Sequence, residues 1–355
     1  MKKRAVIIET KNGVIKDANW GMIACASKGD NTLYAFIINQ SGEIFKKELG
    51  SYGIEHIVDI CIDSDNHENN EKYEKSFNPI LFSDAVVQAI KDYEISSIFG
   101  LTTPMGKEIL PRVAAELEAP LVMDCLDVIN GSESSLNIDS NLDFDLAKTS
   151  LYSGKTIATV KVTGDIRLFG IRPNVIEPSS KIDLSQEQLS NITVEKFIAK
   201  NRYAEQNSIK LIDSRQGDLS GNDLVAADVI ISGGRAMKSG ENFKILNECA
   251  NSIENFSISS TAVGASRVAV DLGWVPYRMQ VGQTGEKVSP KVYIACGISG
   301  SIQHFAGMKM SKMIIAINEN INAAIMSNCD YFVEADLFEI LPQLTKELQE
   351  ANQTS

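Results

Sequence analysis

The sequence predicts an α/β protein of two domains, each a mostly parallel sheet with helices on both faces. Three observations support this: the chain has 355 residues, short apolar runs alternate with runs at helical spacing, and glycine-rich turns follow several apolar runs. A chain of this length usually divides into more than one domain. Strand–helix alternation is typical of parallel sheets covered on both sides. We place the boundary after residue 207, giving domains 1–207 and 208–355.

The elements of the first domain follow from its periodicity. Strands are predicted at Ala5–Ile8, Leu33–Ile38, Ile57–Ile62 and Ser96–Leu101, and helices at Phe82–Tyr93 and through Leu110, Val113 and Leu117. The β-rich stretch 150–171 has glycine turns and predicts antiparallel strands that close this domain. The polar stretch 173–207 is typical of a surface connector.

The second domain repeats the alternation, beginning with a strand near Lys210. Further strands are predicted at Val229–Ser232, Ser260–Val263, Val292–Ala295, Met313–Ile317 and Tyr331–Val333. Helices are predicted at Asn242–Ile253, Arg267–Leu272, Ile302–Ala306 and Leu337–Leu348.

Composition limits the classes of function. The net charge of -12 argues against broad nucleic-acid binding and against docking on anionic lipid. The six cysteines form no CxxC pair, which favours free thiols in a reducing compartment. The N-terminus predicts a first strand rather than a leader, and no run is long enough to span a membrane. We therefore expect a cytoplasmic protein without membrane insertion, and no metal site is indicated.

Glycine-rich turns mark a candidate ligand site in the second half. Such turns follow the apolar runs at Ile230–Arg235 (IISGGR) and Ile294–His304 (IACGISGSIQH). In a doubly wound sheet, ligands bind outside the carboxyl ends of the strands. Gly297 and Gly300 would let the backbone approach a phosphate closely. The backbone N–H groups near Ser301–His304, at the start of the next helix, would donate hydrogen bonds to it. Each turn taken alone is more typical of a plain turn or helix cap than of a ligand site.

Polar residues at neighbouring junctions extend this candidate site. Arg235 and Arg267 offer positive charge, Ser299 a hydroxyl donor, and Gln283 and Thr284 donors from a glycine-bounded loop. Asn318 and Asp336 follow later strands, where an amide suits adenine and an acid suits ribose hydroxyls. For Asp336, capping the following helix is an equally good interpretation. No acid–base or nucleophilic constellation accompanies them, so no catalytic residue is predicted.

At these residues the chain resembles the alpha subunits of electron transfer flavoproteins. The resemblance lies in Val263–Pro276, Gln280–Gly285, Ser289–Met308 and Ala316–Asn318, with Ser232–Arg235 and Lys238–Phe243 upstream. It is dense from about Val229 to Leu341 and continues more thinly at Gly106–Ala115. It implies a Rossmann-like FAD domain and a nucleotide-binding-like N-terminal domain that packs on a beta subunit, which holds AMP.

The resemblance also implies roles for individual residues. Arg267 would lie beside the isoalloxazine, Thr284 would hydrogen-bond near N5, and His304 would reach O2 and favour a negatively charged reduced ring. The full set implied to bind the cofactor is Arg235, Ser266, Arg267, Gln283, Thr284, Gly285, Gly297, Ser299, Gly300, Ser301, Ile302, Gln303, His304, Asn318 and Asp336.

The implied function is a redox carrier rather than an enzyme with its own substrate. As a heterodimer it would take electrons from flavin dehydrogenases, such as the acyl-CoA dehydrogenases of fatty acid beta-oxidation, to a quinone oxidoreductase or other acceptor. One alternative is an electron-bifurcating member with a second FAD in the beta subunit. Others are an NAD-binding enzyme of the deoxyhypusine-synthase-like fold and a non-redox interaction protein.

The sequence departs from the family pattern at a few places. Ala236 stands where the family usually has glycine, and Met310 where it usually has an acid. Glu319–Met326 lacks the common Asp-Pro pattern, and the stretch around Asn251–Ser260 looks long. Ala236 adjoins Arg235, so the turn there is expected to be reshaped.

Overall fold

Two separately folded units make up the chain in the computed structural model. The first covers Met1–Ser150 and Ile157–Arg215, and the second covers Gln216–Ser355 with the short segment Leu151–Thr156. The structure describes residues 2–11, 13–62, 77–131, 143–152, 156–200, 202, 224–257 and 259–354. The predicted boundary after residue 207 and the predicted strand near Lys210 lie outside these residues.

A nine-stranded sheet forms the first unit. Its strands are β1 (Lys2–Ile7), β4 (Asn31–Ile38), β5 (His56–Ile62), β6 (Ser97–Leu101), β7 (Leu121–Asn130), β8 (Phe144–Leu151), β9 (Thr156–Thr163), β10 (Arg167–Ile171) and β11 (Thr193–Ala199). Their order is β11-β5-β4-β1-β6-β10-β7-β8-β9. Two short strands, β2 (Thr10–Lys11) and β3 (Val14–Ile15), pair separately. The pairs recorded from β11 to β7 are parallel, and β8 runs antiparallel to β7.

Helices cover both faces of this sheet, as predicted. They are α1 (Ala18–Ala26), α2 (Lys46–Ser51), α3 (Pro79–Asp92), α4 (Pro104–Glu116) and α5 (Gln186–Asn191), with a 3-10 turn at Gly42–Phe45. Alternate side chains of β4 enter two separate cores: Ala35 packs with α1, whereas Phe36 packs with α3 and α4. This two-residue period is what a parallel sheet buried on both faces requires.

Two predictions for the first unit are wrong in part. β10 lies parallel to β6 and β7 inside the sheet, rather than in an antiparallel closing pair. The polar stretch 173–207 contains β11, which extends the sheet by pairing in parallel with β5. Its side chains are largely exposed or half-buried because an edge strand has only one neighbour, so its composition resembles that of a connector.

A five-stranded, fully parallel sheet forms the second unit. The strands are β12 (Val229–Gly233), β13 (Thr261–Ala265), β14 (Val292–Cys296), β15 (Met313–Ile317) and β16 (Tyr331–Val333), in the order β13-β12-β14-β15-β16. Helices α6 (Phe243–Ser257), α7 (Arg267–Asp271), α8 (Ile302–Met308) and α9 (Leu337–Thr354) join 3-10 turns at Arg235–Met237, Tyr277–Met279 and Ala324–Ser327. The predicted strands from Val229 onward and the four predicted helices are confirmed.

The direction in which successive strands are added to the sheet reverses between β12 and β14, because β13 lies on one side of β12 and β14 to β16 lie on the other. α8 packs on one face with Ile230, and α6, α7 and α9 pack on the other with Ile231. Relative order 2-1-3-4-5 is a doubly wound arrangement, whose switch point is where ligands bind. Among the described residues, no helix is both long and apolar enough to cross a membrane.

Candidate functional site

A cavity of about 520 Å³ opens at the carboxyl ends of β12, β13, β14 and β15. This is where the doubly wound order places a ligand, and the volume is within the usual range for small-molecule and cofactor sites. The residues that line it are Gly234, Arg235, Ala236, Ser266, Arg267, Val268, Gln280, Val281, Gly282, Gln283, Thr284, Gly297, Ile298, Ser299, Ser301, Gln303, His304, Asn318, Asn320 and Ala323.

The two glycine-rich turns meet at the switch point because the residues in contact there, Gly234 and Gly297, have no side chain. A Cβ on Gly234 would lie 2.1 Å from the carbonyl oxygen of Gly297. Gly297 has a φ of +61°, and a Cβ there would lie 2.4 Å from the Cβ of Ala236. The turns after β12 and β14 can therefore approach each other only as glycines. Ala236, the departure from the family pattern, fills part of the space beside Gly297.

Two arginines lie at the mouth of the cavity, and both are exposed. Arg235 begins the turn after β12, and Arg267 begins α7 after β13. The Arg267 guanidinium is 3.3 Å from an Asp271 carboxylate oxygen on the same helix. An exposed pair of this kind contributes little to stability, so Arg267 remains able to bind an anion or stack on a ring.

His304 is the buried titratable group of the cavity. Its side chain is 6% exposed, and Nε2 lies 3.0 Å from the hydroxyl of Tyr293. Burial lowers the pKa of His304 to about 4, and a nearby Val281 backbone group opposes this only in part. The imidazole is therefore neutral at pH 7.

Thr284 is held in a short loop between β13 and β14. Nε2 of the buried Gln280 donates to Thr284 Oγ1 at 2.9 Å. The hydroxyl of Tyr277 donates to the Thr284 carbonyl oxygen. In the same loop, the backbone N–H of Gln283 donates to the backbone carbonyl of Gln303 at 2.7 Å, which joins this loop to α8. Gln280 and Tyr277 thus hold both the side chain and the backbone of Thr284.

Asn318 uses its side chain to connect two loops of the cavity. Its Nδ2 donates to the Ile298 carbonyl at 3.0 Å, and its Oδ1 accepts from the Asn320 amide at 3.0 Å. One N–H and one lone pair remain for a ligand. Asp336 is not among the lining residues, and its Oδ1 accepts from the Phe338 amide at 2.9 Å, so it caps α9.

Most of the predicted residues line the cavity together. They are Arg235, Ser266, Arg267, Gln283, Thr284, Gly297, Ser299, Ser301, Gln303, His304 and Asn318. Gly285, Gly300, Ile302 and Asp336 do not line it. Gly285 and Gly300 shape turns instead, since a Cβ on either would lie within 2.5 Å of backbone atoms. Ile302 starts α8 and is exposed.

Sequence reasoning missed Gln280 and Tyr293 as functional candidates. Gln280 lines the cavity, and Tyr293 contacts His304 from the middle of β14. The signal for Gln280 was its place at the start of the glycine-bounded loop. Tyr293 gave none, because an aromatic residue within a strand is typical of a core.

The donor set of the cavity fits a large, partly anionic ligand. Ser266 Oγ and His304 Nδ1 are buried, and neither makes a hydrogen bond of normal geometry with the residues that the structure describes. Unsatisfied buried polar atoms are costly, so both atoms gain from a ligand that pairs with them. The two arginines at the mouth supply the complementary charge for a phosphate-bearing molecule.

Comparison with known proteins identifies related chains along the whole length. A model of the electron transfer flavoprotein FAD-binding domain matches residues 223–309, and a model of the electron transfer flavoprotein domain matches residues 4–197. The chain is 33% identical to the electron transfer flavoprotein subunit alpha of Bacillus subtilis over 353 residues, covering 99% of this chain and 98% of that protein. It is 31% identical to the Pseudomonas aeruginosa subunit alpha, covering 96% and 98%. It is 33% identical to the mitochondrial subunit alpha of Arabidopsis thaliana, covering 97% and 89%.

Proposed function

Because this chain belongs to the electron transfer flavoprotein alpha-subunit family, we propose that it is the FAD-carrying half of a heterodimeric electron carrier. Its cofactor is FAD, and the family generally pairs with a beta subunit. The observation that carries the proposal is the cavity at the switch point, where buried Ser266 Oγ and His304 Nδ1 make no hydrogen bond of normal geometry with the residues that the structure describes.

We assign the ring end of the cofactor to the cavity wall formed by Arg267, Thr284 and His304. Arg267 offers a guanidinium at the mouth, Thr284 a fixed hydroxyl, and His304 a buried neutral imidazole. These groups would stabilise negative charge on the ring, because they offer donors and a cation that are oriented before the charge develops, and the buried His304 would act most strongly. We assign the phosphates and ribityl chain to Arg235, Ser266 and the turn at Ser299–Ser301.

FAD supplies the electron transfer itself when it is bound. The chain's residues hold the ring, set its electrostatic surroundings and limit its contact with water. No side chain is needed to remove a proton from a substrate, because the oxidation of substrate takes place in a partner dehydrogenase. The part of the protein described here accordingly acts as a carrier rather than as an enzyme with its own substrate.

Around this core we place the remaining parts of the proposed function. The N-terminal domain, 1–207, would pack on the beta subunit, and the domain 208–355 would present FAD. Flavin dehydrogenases would supply electrons in the cytoplasm, and a quinone oxidoreductase or another acceptor would receive them. Whether the beta subunit carries AMP or a second FAD distinguishes a simple carrier from a bifurcating one.

Co-expression of the chain with the neighbouring beta subunit tests the proposal. We expect a yellow heterodimer that contains one FAD per alpha subunit and bleaches on stepwise reduction. The control is Ser252→Ala, a buried change on α6 outside the cavity, which should retain full flavin content. A well-folded heterodimer without flavin would refute the function proposed here.

A further inference from the structure

We propose that Gln280 is a positioning residue that directs the Thr284 hydroxyl proton into the cavity and thereby raises the midpoint potential of the bound flavin. This rests on the proposed function, which puts the flavin ring beside Thr284. Gln280 is 2% exposed, and its Nε2 donates to Thr284 Oγ1 at 2.9 Å. Gln280 thus acts on the ring through Thr284 rather than by direct contact with a reacting atom.

The backbone of the loop fixes both partners of this hydrogen bond. The backbone carbonyl of Gln280 accepts from the backbone N–H of Glu286 at 2.7 Å, and the backbone N–H of Gln280 donates to the Tyr277 carbonyl at 2.9 Å. The Tyr277 hydroxyl in turn holds the Thr284 carbonyl. Neither Gln280 nor Thr284 can shift without breaking a backbone contact. The side-chain pair is therefore part of the loop's fixed geometry.

The direction of the Thr284 proton follows from the valence of a hydroxyl. A hydroxyl has one proton to donate and two lone pairs. Because Gln280 donates to Thr284 Oγ1, that oxygen is an acceptor in this contact, and its proton is left for another acceptor. Thr284 lines the cavity, so a ring nitrogen placed there would receive the proton. A donor at this position stabilises added electron density on the ring.

The Gln280 carboxamide makes this direction reversible. If the amide turned over, its oxygen would take the Thr284 proton, and Thr284 would offer the cavity only lone pairs. The observed orientation therefore suits a ring nitrogen that accepts a hydrogen bond, and the reversed one suits a ring N–H. In the observed orientation, loss of the amide frees the hydroxyl to rotate and weakens the donor, which makes the flavin harder to reduce.

A double-mutant cycle of midpoint potentials separates this role from a general structural one. The variants are Gln280→Met, Thr284→Val and the pair, each prepared as the flavin-loaded heterodimer and titrated spectroelectrochemically at pH 7. For Gln280→Met alone we expect a roughly fivefold loss in the reduction equilibrium, or ~40 mV for one electron at 59 mV per tenfold change. In the Thr284→Val background the same substitution should shift the potential by less than about a third of that.

Two further variants keep the outcomes distinct. Thr284→Ser retains the hydroxyl, so Gln280→Met should keep its full effect in that background, whereas Ser252→Ala should leave the potential unchanged. An equal shift from Gln280→Met with and without the Thr284 hydroxyl, or no shift in either, overturns the inference. A wild-type heterodimer that contains no flavin refutes the proposed function instead, so the two failures can be told apart.

Discussion

Replacement of His304 by glutamine is expected to remove a proton uptake that accompanies reduction of the flavin. The imidazole is buried, its Nε2 lies beside the Tyr293 hydroxyl, and its Nδ1 makes no hydrogen bond of normal geometry with the described residues. Burial raises the pKa of Tyr293, so this partner stays neutral and does not itself supply charge. His304→Gln keeps hydrogen-bonding capacity but cannot take up a proton, which isolates the titration.

The magnitude follows from two opposing terms. A pKa of about 4 means that protonating His304 at pH 7 costs about 4 kcal/mol. A full negative charge on the ring, about 4 Å away, would attract the imidazolium by about 4 kcal/mol at an effective dielectric constant of about 20. The terms nearly cancel, so reduction should raise the pKa of His304 from about 4 towards about 7. Proton uptake is then confined to the window between these two values.

The sign of the effect is fixed by that rise. Below about pH 4 the imidazole is protonated in both redox states, and above about pH 7 it is neutral in both. Within the window, acid favours the reduced state, so the midpoint potential should fall as pH rises, by up to ~59 mV per unit for one electron. Above the window, the contribution of His304 should be independent of pH.

Midpoint potentials of the wild type and His304→Gln, measured from pH 5 to 8, provide the assay. The difference between the two curves removes the flavin's own protonation. We expect the wild type to lie higher at pH 5 and the difference to shrink towards pH 7. Parallel curves across this range would refute the reasoning, because they would show that His304 does not change its protonation on reduction.

Three more outcomes are expected. The buried neutral His304 binds fewer protons in the folded protein than in the unfolded chain. The flavin-free protein should therefore lose about 3 kcal/mol of unfolding free energy as pH falls from 6.5 to 4. His304→Gln should reduce this dependence of the unfolding free energy on pH, measured by denaturant titrations across that range. Gly300→Ala should destabilise the protein by about 2 kcal/mol or more in thermal unfolding, because φ is +78° and the new Cβ would lie 2.5 Å from the Ile325 amide nitrogen. The control is Gly273→Ala, which should cost less because φ is +72° but the space around it is open. Arg267→Gln should weaken FAD binding about tenfold in a fluorescence titration, since it loses a charged contact worth about 1.5 kcal/mol, and equal binding by Arg267→Gln and Arg267→Lys would contradict a role for its charge.

The fold was largely predictable because its strongest signals are local. The strands β12 to β16 are short apolar runs followed by turns, and each can be recognised within about six residues. β11 could not be recognised in this way. Its side chains are a mixture of polar and apolar ones, most of them exposed or half-buried, within a polar stretch of the chain. Its place in the sheet depends on pairing with β5, more than a hundred residues earlier. The direction of β10 was missed for the same reason, since its neighbours are set by the topology of the whole sheet.

The site divides along the same line. Glycines, arginines and the loop around Thr284 could be predicted, because turns and strand ends place them at one edge of a parallel sheet. What each polar atom does could not be, because it depends on partners brought in by folding. One carboxylate oxygen of Asp336 accepts a hydrogen bond at the start of α9. The side-chain amide of Asn318 bonds to Ile298 in a neighbouring loop and to Asn320 in its own. The type of a polar residue alone does not show whether its side chain contacts a ligand or stabilises a loop.

In the function proposed above, different residues of the cavity would hold the cofactor and tune its potential. The exposed arginines provide charge that solvent and salt partly screen, which suits binding and adjustment to a partner. Thr284 and His304 instead each have a buried neighbour, Gln280 and Tyr293, that fixes a hydrogen bond before the cofactor arrives. Groups that are oriented in advance keep their effect without reorganisation cost. A change in either buried neighbour can consequently alter the flavin potential while the residues that contact FAD stay the same.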